Sequence, residues 1–364
     1  MGSIFGFIGL GLIGGSIAKG LKRADPSCLN IAYTRNPATR EAALSDGAID
    51  AALTAIDESF LACDYIFLCA PVTANEDYME QVIPYLSDTA ILTDIGSVKT
   101  GIHKAAARLG IEDRFIGGHP MAGSEKSGYS FSNDHLVENA YYIITPTPST
   151  PEAKVEEFRQ IVLSLKSIPL VLDYARHDYI VAGISHLPHL IAADLVKLVK
   201  YKDTPDQTMK LVAAGGFKDI TRIASSSPTM WQQICEVNGP NISRILGDYI
   251  DMLQGTKAQI DSGNSQAIYD LFSESRDYRD SIEDRSFGPI KKDYRLYCDI
   301  VDESGAIATI ATILAAHQIS IKNIGIVHNR DFEEGVLLIT FYDEESLNAA
   351  AERLTQFRYT VTKR

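Results

Sequence analysis

Charge is missing from the first eighteen residues of this 364-residue chain. An uncharged apolar start raises a signal peptide or a membrane span. The first lysine, Lys19, follows the apolar run instead of preceding it, however, and seven glycines in the first twenty residues make a poor membrane helix. Gly6 stands where an N-myristoylation signal wants Ser or Thr. Cysteine is sparse: Cys28, Cys63, Cys69, Cys235 and Cys298 form no CxxC pair and no zinc-like spacing with histidine. Neither a disulfide framework nor a metal site is expected, and a reducing cytosol, hence a cytoplasmic protein, fits best. Low-complexity tracts are absent, and 45% hydrophobic with 22% charged residues excludes disorder. Positive charge is also in deficit. With 34 Lys and Arg against 47 Asp and Glu the net charge is −13, which argues against nucleic acid or an anionic membrane as partner. A local cluster of His and Arg can still hold a small anion. Single cores rarely grow past ~250–300 residues, so two or three domains are expected.

What is present begins with glycine. Residues 3–8 form a short apolar run that ends in Gly9-Leu10-Gly11-Leu12-Ile13-Gly14, followed by a helical pattern through Ile17, Ala18 and Leu21. Strand, glycine turn and helix in that order let backbone N–H groups approach a pyrophosphate at a helix N-terminus, so these six residues are expected to bind a dinucleotide. After the second strand, residues 29–33, the acidic residue that holds the adenosine ribose of NAD is replaced by Thr34-Arg35. A hydroxyl followed by a guanidinium suits a 2′-phosphate, which favours NADP over NAD; a solvated Arg35 beside an NAD site is the other reading. Apolar runs at 65–69, 90–93 and 114–116 continue a doubly wound parallel α/β sheet of the Rossmann type. Ala70-Pro71 and Asp94-Ile95-Gly96-Ser97-Val98-Lys99 fall at strand ends, where the ligand crevice of such a sheet opens. Ser97 reads as a helix N-cap or a substrate contact, and Lys99 as a solvated first-turn residue. Residues 117–125, with three glycines and Pro120, read as a shaped loop that presents His119, either as an idle turn histidine or as a base.

From residue 174 the periodicity turns helical. This region contains Arg176-His177-Asp178, then Ser185-His186-Leu187-Pro188-His189, in which His186 and His189 share a helical face. A metal pair at that spacing lacks a convincing third ligand. Further on, Gly215-Gly216-Phe217-Lys218-Asp219-Ile220-Thr221-Arg222 breaks one helix and sets an arginine on the next, for a carboxylate ligand or for a structural ion pair.

With Gly9-x-Gly11-x-x-Gly14, residues 94–99, Gly118-His119-Pro120-Met121-Ala122-Gly123, residues 185–189 and residues 216–222 in this order, the chain resembles the prephenate and arogenate dehydrogenases of tyrosine biosynthesis. The resemblance implies a nucleotide domain joined to an all-α dimerisation domain, with the active site between them, and a homodimer. It implies oxidative decarboxylation of prephenate to 4-hydroxyphenylpyruvate, with His119 as base and Ser97 orienting it. Arg222 and His189 would bind the carboxylates, Ser124 and Glu125 would line the pocket, and His186 would stand behind them. Arogenate is the alternative substrate. A related hydroxyacid dehydrogenase leaves the histidine motifs unexplained, and a non-catalytic aromatic amino-acid sensor leaves His119, Ser97 and Arg222 unexplained.

Beyond the punctuation at Phe287-Gly288-Pro289 and a charged linker at 291–293, residues 294–364 read strand-helix-strand-strand-helix-strand, a ferredoxin-like order. This module resembles the ACT ligand-binding domain, with Asp302-Glu303-Ser304-Gly305-Ala306 as its first loop and Ser304 in place of the usual proline. An amino-acid ligand such as L-tyrosine is implied, with a purely structural module as the alternative. The expected domains are 1–172, 173–288 and 294–364.

Overall fold

Alternation of short apolar runs with amphipathic stretches leaves the strands only one way to bury both faces, which is a sheet covered by helices. The computed structural model describes residues 2–123, 126–282, 294–300, 305–327 and 335–363. The chain divides into two compact units, 1–288 and 289–364.

The first unit runs β1 (Ile4–Ile8), α1 (Leu12–Ala24), β2 (Leu29–Tyr33), α2 (Pro37–Ser45), β3 (Ala51–Leu53), β4 (Tyr65–Leu68), α3 (Val72–Val82), β5 (Ile91–Asp94), α4 (Thr100–Arg108), β6 (Phe115–Pro120), β7 (Tyr141–Pro146), α5 (Glu152–Ser164) and β8 (Ile168–Val171). The sheet order is β3-β2-β1-β4-β5-β6-β7-β8. The first six strands are parallel; β7 reverses against β6, and β8 follows β7. Successive residues of a strand point to opposite faces. Phe7, Phe67 and Ile116 accordingly enter the core on one side of the sheet, and Ile8, Ile66, Leu68 and Phe115 the core on the other.

Residues 117–120 are not the loop expected from their composition: they complete β6, with His119 opposite Ile143 and Pro120 opposite Tyr142. The glycines here serve close packing. A Cβ on Gly118 would lie 2.6 Å from the Asp94 carbonyl oxygen, and one on Gly117 would collide with the Thr145 hydroxyl. His119 therefore projects from the end of a buried strand, a firmer mounting than a loop.

The helical part comprises α6 (Tyr174–Val181), a π-turn over Ala182–His186, α7 (Leu187–Lys202), α8 (Thr208–Val212), α9 (Gly215–Thr221), a 3-10 turn over Arg222–Ser225, α10 (Pro228–Val237), α11 (Gly239–Asp261) and α12 (Ser265–Ser281). Asp173 caps α6, accepting from the N–H groups of Ala175 and Arg176 at 2.9 and 3.0 Å. Pro188 has no N–H and its ring crowds the preceding turn, which accounts for the wide π-turn just before it. Residues 174–202 are long and apolar enough to cross a bilayer by length and composition; they carry His177, Asp178 and His186 buried within the unit and leave Ile184, Leu198 and Tyr201 exposed.

The second unit contains β9 (Tyr294–Ile300), α13 (Ala306–Ala316), β10 (Ile321–Val327), β11 (Gly335–Phe341), α14 (Glu344–Gln356) and β12 (Val361–Lys363). Its antiparallel sheet, ordered β10-β11-β9-β12, has the expected ferredoxin-like connectivity. Leu296, Cys298 and Ile300 on alternate positions of β9 pack with Ile310, Leu314, Leu347 and Leu354 of the two helices. Residues 302–304 of the expected ACT-type loop, the 287–289 punctuation and the 291–293 linker lie outside the described residues.

His103 of α4 joins the sheet to α6: its Nε2 lies 2.9 Å from the Thr145 hydroxyl and its ring stacks on Tyr174 at 4.5 Å. Burial, helped by the nearby Lys99 charge, pushes its pKa down to about 3. The folded protein therefore keeps this ring neutral, whereas the unfolded chain protonates it below ~6.5. The stabilisation is complete above ~6.5 and declines as pH falls towards 3, by up to ~1.4 kcal/mol per pH unit. The denaturation midpoint of His103→Gln is expected to depend less steeply on pH between 6 and 4.5 than that of the parent, and equal slopes would contradict this role.

Candidate active site

The glycine turn joins β1 to α1. Gly9 has φ +95°, a left-handed conformation that favours glycine, and a Cβ there would lie 3.0 Å from the Cys69 carbonyl oxygen. A Cβ on Gly14 would lie 2.8 Å from that of Cys69, which fixes how closely α1 packs on β4. Around Gly11 the space is open, and no side chain caps α1, so its first N–H groups remain available. That cradle fits a pyrophosphate. It opens into a cavity of about 750 Å³. Gly9, Leu10, Gly11, Thr34, Arg35, Ala70 and Pro71 all line it, while Leu12, Ile13 and Gly14 belong to the first turn of α1 beneath. Arg40 donates to the carbonyl of Thr34 at 2.5 Å and so shapes the turn after β2.

At the ends of β5 and β6 lies a buried polar network. Lys99, expected to be solvated, is fully buried; its ammonium donates to Asp94 and, at 2.6 Å, to the Gly118 carbonyl. Asp94 also accepts from Gly96 N–H at 2.8 Å. The correction has a simple cause: Asp94 and Asp178 supply negative charge at this spot, so a buried ammonium is partnered. Burial lowers the pKa of Lys99, and Asp94 opposes the shift. By binding the Gly118 carbonyl, Lys99 pins the backbone directly before His119.

His119 Nδ1 lies 2.8 Å from His177 Nε2, and His177 Nδ1 lies 2.8 Å from Asp178 Oδ1. Both His177 and Asp178 are fully buried. Asp178 further accepts the N–H groups of Lys99 and Thr100, each at 2.7 Å. Burial alone would raise its carboxyl pKa, but hydrogen bonds from His177, Thr100 and Lys99 outweigh it and hold the group below the usual range. An ionised carboxylate only accepts, so His177 donates through Nδ1. In a neutral His177 ring Nε2 then accepts, and His119 must donate to it through Nδ1. The tautomers follow from the network: His119 keeps Nε2 as a free lone pair. Burial holds the His119 pKa well below its ordinary value, so the ring is neutral at physiological pH.

A second group faces this one from the helical part. His189 stacks on Trp231 with ring centroids 4.0 Å apart and donates to the Ser185 carbonyl at 2.8 Å, while His186 meets the same indole edge-on at 5.8 Å. Trp231 Nε1 is buried and has no hydrogen-bond partner among the described residues. His186 is buried with Nδ1 3.1 Å from the Asn238 amide nitrogen, which also donates to the Asp178 carbonyl at 2.8 Å. Burial lowers the His186 pKa to about 4.

Ser97 is half-buried between β5 and α4 and does not cap the helix, which starts three residues later with Lys99 in the cap position. Its hydroxyl has no partner among the described residues. Arg222 is exposed on the 3-10 turn that packs against α7, the helix carrying His189. Ser124 and Glu125 lie outside the described residues.

Sequence reasoning read Lys99 as solvated, named Asp178 without a role, and passed over Trp231 and Asn238. The only signal was the His177-Asp178 pair at the start of a helix, where two adjacent polar residues in an apolar pattern mark a buried polar contact.

A phosphate cradle and an oriented neutral histidine at the ends of the same parallel strands define a nicotinamide-nucleotide-dependent dehydrogenase. Residues 17–168 match the family model described as prephenate dehydrogenase, nucleotide-binding domain, and residues 173–274 that described as prephenate dehydrogenase, dimerization domain. The chain belongs to the prephenate dehydrogenase family. It is 34% identical to the prephenate dehydrogenase of Bacillus subtilis (strain 168) over 94% of this chain and 93% of that protein. Among solved structures, prephenate dehydrogenase from A. aeolicus in complex with hydroxyphenyl propionate and NAD+ is 31% identical, with a TM-score of 0.74 over 78% of this chain and 99% of that one. Synechocystis arogenate dehydrogenase is also 31% identical, with a TM-score of 0.70 over 77% of this chain and 100% of that one.

Asp178→Asn breaks the carboxylate end of the relay and removes the constraint on the His119 tautomer. Its kcat is expected to fall by ~10²–10⁴-fold. A loss below about threefold in steady-state assays would show that the relay does not serve the base.

Proposed function

We propose that the protein catalyses the oxidative decarboxylation of prephenate to 4-hydroxyphenylpyruvate in tyrosine biosynthesis. The observation that carries this reading is the hydrogen-bonded series Asp178–His177–His119 at the carboxyl end of β6. A bound nicotinamide would supply the hydride acceptor for the ring carbon that bears the hydroxyl. His119 Nε2 accepts the hydroxyl proton as positive character develops on that carbon, and Ser97 hydrogen-bonds the same hydroxyl. The bond from the ring to its carboxylate breaks, its electron pair aromatises the ring, and carbon dioxide leaves. His119 then returns its proton to the phenolate oxygen, so the net reaction needs no other acid. His189 and Arg222 hold the substrate carboxylates, with Trp231 stacked on the His189 ring and fixing its plane. Ser124 and Glu125 line the pocket in this reading. Arogenate, with an amino group for the side-chain keto group, fits the same chemistry, and comparing kcat/KM for the two substrates separates them.

NADP is the favoured cofactor. Thr34 and Arg35 border the cavity after β2, without an acidic residue at that turn, and suit a 2′-phosphate; the NAD+ of the A. aeolicus complex supports use of NAD by that relative. A homodimer is supported by the dimerization-domain match and by apolar side chains left outside on α11 and α12, among them Met252, Ile260, Tyr269 and Phe272. In this reading the C-terminal unit is an ACT-type module that binds an amino acid such as L-tyrosine, and the enzyme is cytoplasmic.

His119→Asn is expected to abolish turnover of prephenate while the dissociation constant for the cofactor stays within about twofold of the parent; near-normal rates would remove His119 as the base. Arg35→Ala is expected to raise the KM for NADP by about tenfold and leave that for NAD unaltered. Equal effects on both would assign Arg35 to the surface.

A further inference from the structure

The cavity beside the glycine turn is walled by residues of the nucleotide-binding domain with one exception. Gln233, on α10 of the helical part, lines it together with Thr34, Arg35 and Asn36 and with Asp77, Tyr78 and Gln81 of α3, the helix that α10 contacts; Tyr78 in turn meets Tyr33 of β2 edge-on. That end of the cavity follows β2, so it is where the adenosine half of a dinucleotide lies. Gln233 is half-buried, and its amide offers two donors and an acceptor.

The rest of α10 is committed to the substrate side. Trp231, two positions earlier and on another face of the helix, stacks on His189. Ile234 is buried against Val98, the neighbour of Ser97, together with Ala182 and Ile242. Asn238, which ends the helix, holds His186 and the carbonyl of Asp178. One ten-residue helix thus touches the cofactor cavity, the substrate histidines and the base relay.

We propose that Gln233 is an adenosine-side contact for the nicotinamide cofactor supplied by the helical domain, and that through α10 it couples cofactor occupancy to the setting of Trp231 and His189. The proposal rests on the cofactor reading above. Binding energy gained at Gln233 steadies α10, and by reciprocity a ligand held at His189 tightens the cofactor.

Trp231 is the sole tryptophan of the chain, so its emission reports this helix directly. The full-length protein is titrated with NADP+ and NAD+ by calorimetry. In parallel, Trp231 emission is followed with ADP-ribose and its 2′-phosphate, which lack the nicotinamide and so cannot quench the indole from the substrate side. Gln233→Ala is expected to weaken binding of the preferred dinucleotide by about 2- to 10-fold, the loss of one hydrogen bond. Gln233→Glu is expected to weaken NADP+ more than NAD+, through repulsion of the 2′-phosphate. Gln232→Ala, at the exposed neighbouring position, is expected to bind as the parent does. Saturating fragment is expected to shift Trp231 emission in the parent and to shift it less in Gln233→Ala. Parent-like affinity in both Gln233 variants overturns the contact, and an emission unmoved by bound fragment overturns the coupling. Failure of the parent to bind either dinucleotide overturns the cofactor reading itself, and this proposal with it.

Discussion

The Asp178 carboxylate is the contact on which the site depends. One oxygen meets His177 and the Lys99 N–H, the other the Thr100 N–H, all within 2.8 Å. A buried carboxylate without such donors would protonate or be expelled. With them it stays ionised, joins α6 of the helical part to the start of α4 in the sheet domain, and dictates which nitrogen of His177 carries the proton. Orientation of His119 and docking of the two parts are therefore one interaction, so damage to either damages both.

A second buried charge performs the matching task on the sheet side. Lys99, neutralised by Asp94, holds the Gly118 carbonyl and with it the last turn of backbone before His119. His119 is thus fixed through its ring by Asp178 by way of His177, and through its backbone by Lys99. Burial that would be costly for either ion alone is offset because each lies in the field of the other network. The same dry surroundings keep His119, His103 and His186 neutral, which is the form a proton acceptor needs.

Much of this was legible in the residues themselves. The turn at Gly9–Gly14, the buried strands and the βαββαβ order of the C-terminal unit follow from periodicity and punctuation, because those patterns depend on local sterics and burial. The loop expected around His119 proved to be a strand because Gly117 and Gly118 answer to the Thr145 hydroxyl and the Asp94 carbonyl, partners distant in sequence that no local pattern encodes. Lys99 was misjudged for the same reason: a lysine after a strand is usually solvated, and only the fold brings Asp94 and Asp178 around it. Ser97 looked like a cap because its position resembles one, but the helix starts at Thr100. Trp231, Gln233 and Asn238 lie in an unremarkable helical stretch, and their significance appears only when three faces of α10 are seen against three neighbours.

Asp178 and His177 set His119 as the Nδ1–H tautomer with a free Nε2. Nitrogen-15 NMR of the full-length protein with labelled histidine, assigned through His119→Asn, reads this directly. At neutral pH His119 is expected to show a protonated Nδ1 and an unprotonated Nε2, with Nε2 becoming protonated only well below pH 6.5. A His119 ring protonated at Nε2, or charged at neutral pH, would contradict it.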